Sequence, residues 1–440
     1  MRTIPAAVKR LRPLQLAAII FLTVSGGPYG LEPLLFYVGK GGALLLLIVV
    51  PLLWDMPTIF TVLELNSMMP VNGGYYQWVK RAMGKRWALY EGWWTWLYTF
   101  VDLAIYPVLF VVYASFLFPG IVAYKIPICL SIIWINAALN IIGIVPVGKI
   151  SMVLTAVVLI PFVIFFAIGF AQHTGSFSFG TFSLKGIGFT SIGMGLYTVM
   201  WNFMGWDNTT TYAEEVDKPI RSYLISIAIA FTIVFAIYFI TTLIAQNSGI
   251  DFGVLIDKGF PALGELLAGH WLGLLLSIGG MASTLGLFSA VLLSVSRVPK
   301  VMADDQLLSS KLSRLHPRFN TPYVSIIVCA AVVSVMILWS FTDLVIIDVT
   351  LYGAALSLEF ISLIILRIKA PDEHRPFKIP LNVVGLCLMS VLPLCVYSIA
   401  LAAAFSTSGT SLKPALFAVG TLLSAEIVWR VIVWKDRAVK

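Results

Sequence analysis

Ser25-Gly26-Gly27-Pro28-Tyr29-Gly30 lies inside an apolar run that starts at Leu14, and Trp201-Asn202-Phe203-Met204-Gly205-Trp206-Asp207 interrupts a second such run. The first segment packs three glycines and a helix-breaking proline into six residues, and the second puts Gly, Asn and Asp where hydrocarbon-facing side chains belong. Backbone that unwinds at membrane depth exposes N–H and C=O groups that are costly unless buried in protein or facing a cavity. Both breaks are therefore expected to face a site, rather than merely to kink packed helices as small residues also do. Gly27 and Met204 are 177 residues apart, and the same offset carries the second span onto the seventh and the start of the third onto the eighth.

The rest of the 440-residue chain supplies the membrane that these breaks imply. It is 59% apolar and 11% charged, with mean hydropathy +0.95, whereas a soluble domain is about a quarter charged. Soluble enzymes, nucleic-acid binders and secreted disulfide scaffolds are excluded. Apolar stretches long enough to cross a bilayer run over 13–38, 43–67, 87–117, 126–145, 149–171, 189–213, 221–247, 271–300, 323–341, 344–367, 381–404 and 412–433. The start, Met1 to Arg12 followed by the apolar run, resembles a signal peptide in outline. No small-residue cleavage site precedes a soluble domain, so it reads as the first membrane helix.

With a cytoplasmic N-terminus, 24 of the 29 Lys and Arg fall on inside segments, leaving Lys40, Lys125, Lys185, Lys258 and Lys413 outside. That bias predicts twelve spans with both termini in the cytoplasm. The net charge of +8 is thus a topology signal and not a nucleic-acid footprint. The expected organisation is a cytoplasmic segment 1–12, a first repeat 13–171 of spans 1–5, a second repeat 189–367 of spans 6–10, two appended spans 381–433, and a cytoplasmic tail 434–440. An odd number of helices per repeat makes the halves inverted, the arrangement of transporters with broken helices at the repeat interface.

Broken half-helices present N–H groups and carbonyls at mid-depth, which suit the carboxylate and ammonium of a small amine or amino-acid substrate. The candidate binding residues are Ser25, Gly26, Gly27, Tyr29 and Gly30 at the first break, and Trp201, Asn202, Trp206 and Asp207 at the second. Asp102 and Tyr106 join them from the third span. An intramembrane carboxylate costs roughly 2.5–3.5 kcal/mol on insertion scales and is a functional hypothesis by default. Asp102 sits at the middle of span 3 and Asp207 at the second break. Either could neutralise a substrate ammonium, take up a coupling proton or cap a broken helix. Asp207 is expected to make the substrate contact and Asp102 to titrate. Glu32, Asp55, Asp348 and Glu359 are expected to be solvated or paired between helices.

Tyr29, Tyr106, Trp201 and Trp206 are expected at a cavity, where rings attract an ammonium. Tyr98 and Tyr352 belong to the same crowd of aromatics. Trp93, Trp94 and Trp96 read as an interfacial belt. His173, His270, His316 and His374 fall in loops or at span ends without ligand spacing, and no P-loop occurs. Cys129, Cys329, Cys387 and Cys395 read as packing residues. No cofactor or metal is expected.

Glu64-Leu65 with Pro70-Val71-Asn72-Gly73-Gly74-Tyr75-Tyr76-Gln77-Trp78, Glu214-Glu215-Val216-Asp217-Lys218-Pro219, and more loosely Asp304-Asp305-Gln306-Leu307-Leu308 resemble signatures of the amino acid–polyamine–organocation superfamily. Glu91-Gly92-Trp93-Trp94, the run from Asp102 through Tyr106 to Phe110, Leu366-Arg367-Ile368-Lys369 with His374-Arg375-Pro376, and both breaks are similar to its polyamine:proton symporter branch. The resemblance implies an all-α integral membrane protein of twelve transmembrane helices with a LeuT-type 5+5 inverted repeat, broken in helices 1 and 6. It also implies proton-driven uptake of polyamines or amino acids, expected across the plasma or inner membrane; sodium is the competing coupling ion, since carbonyls of broken helices can hold it. Plant members follow the Gly-Leu-Phe of span 8 with two carboxylates, where this chain reads Ser289-Ala290-Val291. Substrate therefore stays open between a polyamine, a cationic amino acid and a neutral amino acid. A non-transporting sensor or accessory subunit is the alternative of different class, disfavoured by the paired breaks and the lack of a long soluble domain. An intramembrane hydrolase ranks third, because no nucleophile–base pair stands out.

Overall fold

The computed structural model describes residues 10–172, 177–406 and 412–438. Residues 1–9 of the expected N-terminal cytoplasmic segment, His173, and residues 439–440 of the expected tail lie outside the described residues. Among those described the chain forms sixteen α-helices and no strand beyond a single parallel bridge between Leu11 and Val216. Among the described residues, nine helical segments are long and apolar enough to cross a membrane, so this is a multi-pass membrane protein.

The first apolar run divides where its sequence predicts. Helix α1 covers Pro13–Val24, and α2 begins only at Pro33. Non-helical Gly39 (φ 69°) then bends α2, which continues to Val50 and passes through five π-helical residues, Pro51–Asp55, into α3, Met56–Met68. A short amphipathic helix, α4 (Gly74–Met83), leads to the long α5 (Lys85–Leu117). Next come α6 (Lys125–Ile142) and α7 (Ile144–Gln172), the latter starting five residues before its expected boundary. In the second half α8 (Phe189–Phe203) stops at the predicted break, a 3-10 helix spans Asn208–Glu215, and α9 covers Pro219–Asn247.

One helix was not expected. The segment after α9 reads as an external loop, yet α10 occupies Phe252–Ala268, capped by Asp251 Oδ1, which accepts from the Gly253 and Val254 N–H groups (2.8 and 3.1 Å). Asp257, Lys258 and Glu265 dilute its hydropathy below that of a span, while Leu255, Phe260 and Leu263 give it a buried face against α11 (His270–Val295). The remaining helices are α12 (Arg297–Asp304), α13 (Tyr323–Met336), α14 (Phe341–Lys369), α15 (Val383–Ser406) and α16 (Leu412–Ala438). Of these α13 ends five residues short of its expected boundary.

Burial separates the bundle interior from the lipid face. In the most apolar stretch beginning at α11, 83% of residues are buried, against 11% in α16; α5 and α14 are interior like α11. Exposed Leu388, Leu423 and Ile427 on the last two helices are what a hydrocarbon solvent permits. Two sequence expectations change here. Trp93 and Trp94 donate to Ser424 Oγ (2.8 Å) and the Leu422 carbonyl (3.0 Å), so they latch α16 to α5. Cys129 and Cys329 are packing residues, whereas Cys387 and Cys395 are exposed on α15.

The end of the bundle rich in Lys and Arg is tied by ion pairs. Lys80 pairs with Asp305 (2.6 Å), Arg81 with Glu373 (2.6 Å) and Arg297 with Glu215 (3.2 Å). Glu64, fully buried on α3, receives both Arg367 and Arg375. Tyr76 donates to Asp305 (2.7 Å), and burial together with that bond pushes its hydroxyl well above the ordinary tyrosine range.

Candidate functional site

The two breaks meet. After α1 the Ser25 and Gly26 N–H groups both close on the Phe21 carbonyl (2.9 Å each), and the chain then turns through positive φ at Gly26, Gly27 and Gly30. At Gly30 (φ +91°) a side chain would be strained and would also overlap the Trp201 ring of α8. The Asn202 amide donates to the Gly30 carbonyl (3.2 Å), and the Tyr238 hydroxyl donates to the Asn202 carbonyl (2.8 Å). The asparagine that looked misplaced in hydrocarbon thus satisfies a carbonyl released by the other break.

Between the breaks lies a cavity of about 20 Å³, walled by both broken segments, α5 and α14. Ser25, Asp102, Tyr106, Trp201 and Asn202 line it, as their sequence positions suggest. Tyr98, Tyr352 and Asn208 line it as well. Tyr98 donates to Asn208 Oδ1 (3.0 Å), and Tyr106 donates to Asp102, with both carboxylate oxygens 2.6 Å away.

The other candidates are placed elsewhere. Gly26 packs on Ser283 and Leu287, and Gly27 faces Val158 of α7. Tyr29 turns outward from the cavity: its hydroxyl donates to the Leu276 carbonyl (2.5 Å) and its ring packs edge-on against Tyr113 (4.9 Å). Trp206 donates to Asp55 on the π-helical turn (3.3 Å) and lies against Phe231. Asp207 stands one residue behind the wall and touches it through Tyr352, whose hydroxyl donates to Asp207 Oδ1 (2.7 Å) while accepting from the Gly205 N–H (3.3 Å).

Solvation is excluded for Glu32, Asp55, Asp348 and Glu359, which are 5%, 0%, 0% and 1% exposed. Glu32 accepts from the Gly30 N–H (2.6 Å) and from Tyr113 (3.1 Å), tying the first break to α5. Asp348 lies beside Asp102 and Trp201, and Glu359 lies beside Asp207 with Glu91 as a further neighbour. A legible signal for this arrangement exists. Glu91, Thr95, Tyr98, Asp102 and Tyr106 recur every three or four residues on one face of α5, and Asp348, Tyr352 and Glu359, four and then seven residues apart, share one face of α14. Those polar stripes face each other in an otherwise apolar bundle.

The family described as amino acid permease matches residues 11–425. A polyamine transporter of Arabidopsis thaliana is 31% identical over 421 residues, covering 94% of this chain and 84% of its own length. A polyamine transporter of Oryza sativa subsp. japonica is 30% identical, with coverages of 90% and 75%. A serine/threonine exchanger of Bacillus subtilis (strain 168) is 25% identical, with coverages of 73% and 74%. A permease is a transporter and not an enzyme, and a chain with this match, these spans and these paired breaks belongs to the amino acid permease family.

Proposed function

We propose that the protein is a secondary transporter that moves an organic amine, most suitably a polyamine, across the plasma or inner membrane with protons as the coupling ion. The observation that carries this reading is the cavity wall. It joins both helix breaks and holds one carboxylate, Asp102, backed by Asp348, with the rings of Tyr98, Tyr106, Trp201 and Tyr352 around it and no Lys, Arg or His in its lining. A desolvated carboxylate flanked by aromatic faces suits an ammonium group. The acidity missing after Phe288 is supplied from α14, which supports a cation over a neutral amino acid. The geometry favours Asp102 over Asp207 as the substrate contact, the reverse of the sequence expectation, because Asp102 is on the wall and Asp207 is behind it.

A cavity of about 20 Å³ admits about one water, so a diamine enters only when the helices around it move apart. Rocking of one inverted repeat against the other supplies such a motion. The twelve-span, 5+5 reading is supported by α4 and α10, which start at Gly74 and Phe252, almost the same offset apart as the two breaks, and pack near opposite ends of α5. The ion-paired end is then cytoplasmic, with both termini on that side. Single-cysteine labelling tests this: sites near Arg86 and Arg314 react from the cytoplasm and one near Lys258 from outside, and labelling of all three from one side refutes it.

Uptake by proteoliposomes of labelled putrescine, spermidine, lysine and threonine, with and without an inward proton gradient, tests the function. The amines accumulate on the gradient without sodium. Transport that requires sodium and ignores the pH gradient refutes the coupling, and uptake confined to threonine refutes the substrate class.

A further inference from the structure

Below the central cavity three carboxyl groups from separate elements converge. Glu91 of α5 and Glu359 of α14 are each 1% exposed, and Asp207 of the second break is 3% exposed. Eleven residues separate Glu91 from Asp102 along α5, and eleven separate Asp348 from Glu359 along α14, about 16 Å in each helix. The lower acids therefore face each other across the bundle as the upper pair does, three turns nearer the ion-paired end. The groups that face the cluster are Tyr75 from α4, Thr95 and Tyr98 from α5, and Tyr352 from α14. Its neighbours are acidic, phenolic or neutral, so among the described residues no counter-charge balances three carboxylates there.

The cluster is also underbonded. Thr95 donates to Glu91 Oε1 (3.3 Å) and Tyr352 to Asp207 Oδ1 (2.7 Å), but Glu91 Oε2, Glu359 Oε2 and the fully buried Tyr75 hydroxyl have no hydrogen-bond partner among the described residues. Oxygens left unpartnered in a desolvated space, beside like charges, call for something positive or for a donor. Neither glutamate lines the central cavity, so a substrate ammonium on Asp102 does not reach them. A proton needs no volume and supplies the missing O–H.

We infer that Glu91 and Glu359, together with Asp207, hold the coupling proton, and that Tyr352 links this site to the substrate. The inference rests on the proton-coupled reading above. An external proton forms an O–H bond on one carboxylate of the cluster and turns an acceptor-only group into a donor to its neighbour. Tyr352 lines the cavity while donating to Asp207, so a cation arriving at the wall and the protonation of Asp207 act on the same hydroxyl. Protonation also removes a negative charge from the groups facing Tyr352, which loosens the hold of the wall on the cation, and the cation leaves for the cytoplasm. The O–H bond then breaks and the proton passes to cytoplasmic water.

The test uses full-length protein in proteoliposomes and labelled putrescine in two modes: accumulation driven by an inward proton gradient, and counterflow at equal pH on both sides, which needs no net proton movement. In E91Q and E359Q, gradient-driven accumulation falls by about fivefold or more, the size of an ordinary coupling between two sites. Counterflow stays within about twofold of wild type. E91D and E359D, which keep a titratable carboxyl, restore the response to the gradient, and size-exclusion profiles establish that each variant is folded. Wild-type gradient-driven accumulation in both Gln variants overturns the inference while leaving proton coupling intact. Folded Gln variants that lose counterflow as well overturn it too, because the glutamates then belong to the substrate path. A wild-type protein that ignores the gradient refutes proton coupling itself, and this inference with it.

Discussion

Replacing Asp102 by Asn removes one charge from the cavity wall and little else. The amide keeps the volume, and its oxygen still accepts from Tyr106, whose hydroxyl lies 2.6 Å from the native carboxylate. What is lost is the attraction between a carboxylate and a substrate ammonium. At an effective dielectric of about 20, two unit charges about 4 Å apart attract by about 4 kcal/mol. Asp348, immediately behind Asp102, remains as a second source of negative charge and offsets part of that loss. The expected weakening is about 2–4 kcal/mol, roughly 30- to 1,000-fold in Kd. Competition of unlabelled putrescine against labelled spermidine on purified protein measures it directly. Because the group is buried, the loss persists at high salt, unlike that of a surface charge. Asp348→Asn weakens binding less, since Asp348 stands off the wall, and the double variant departs from additivity by about 0.5–3 kcal/mol, as neighbours in one network do. Putrescine affinity in D102N within about twofold of wild type, a difference worth less than half a kcal/mol, refutes the assignment of Asp102 as the counter-charge.

Two further outcomes follow from the geometry. Gly27→Val, at φ +100° with the Val158 methyl 2.8 Å from the new Cβ, strains the break against α7; Gly30→Ala strains it against the Trp201 ring. Both variants insert and fold but lose transport, and in Gly30→Ala the loss is accompanied by a shift of tryptophan fluorescence. Unchanged uptake in both refutes the idea that the break is shaped for function. Glu64→Gln leaves Arg367 and Arg375 buried with a diminished partner, where the native carboxylate also accepts from the Ile379 N–H (2.8 Å) and Arg367 Nη2 (2.6 Å). It destabilises the protein by about 3–5 kcal/mol, read as a lower melting temperature in detergent, and an unchanged melting temperature refutes a structural role for this pair.

Much of the architecture was legible because hydrocarbon is a severe solvent. It forces apolar runs of spanning length and makes Gly-Gly-Pro and Asn-x-x-Gly-x-Asp within such runs conspicuous, so a multi-pass helical bundle and its two breaks can be read without coordinates. Hydropathy has no term for the rotation of one helix against another. Only packing decided that Tyr29 and Trp206 turn away from the cavity, that Asn202 crosses to the Gly30 carbonyl, and that Asp207 stands behind Tyr352. The same limit hid α10, whose charges lower its hydropathy although its buried face covers one end of the bundle. The acids were half legible. Their recurrence on one face of α5 and of α14 is written in the spacing, but that Asp348 meets Asp102, and Glu359 meets Asp207 and Glu91, follows from two helices distant in sequence being pressed together by the apolar surface around them. Sequence determines which face of a helix is polar, and tertiary structure determines what that face meets, because burial energy depends on area and not on partner identity.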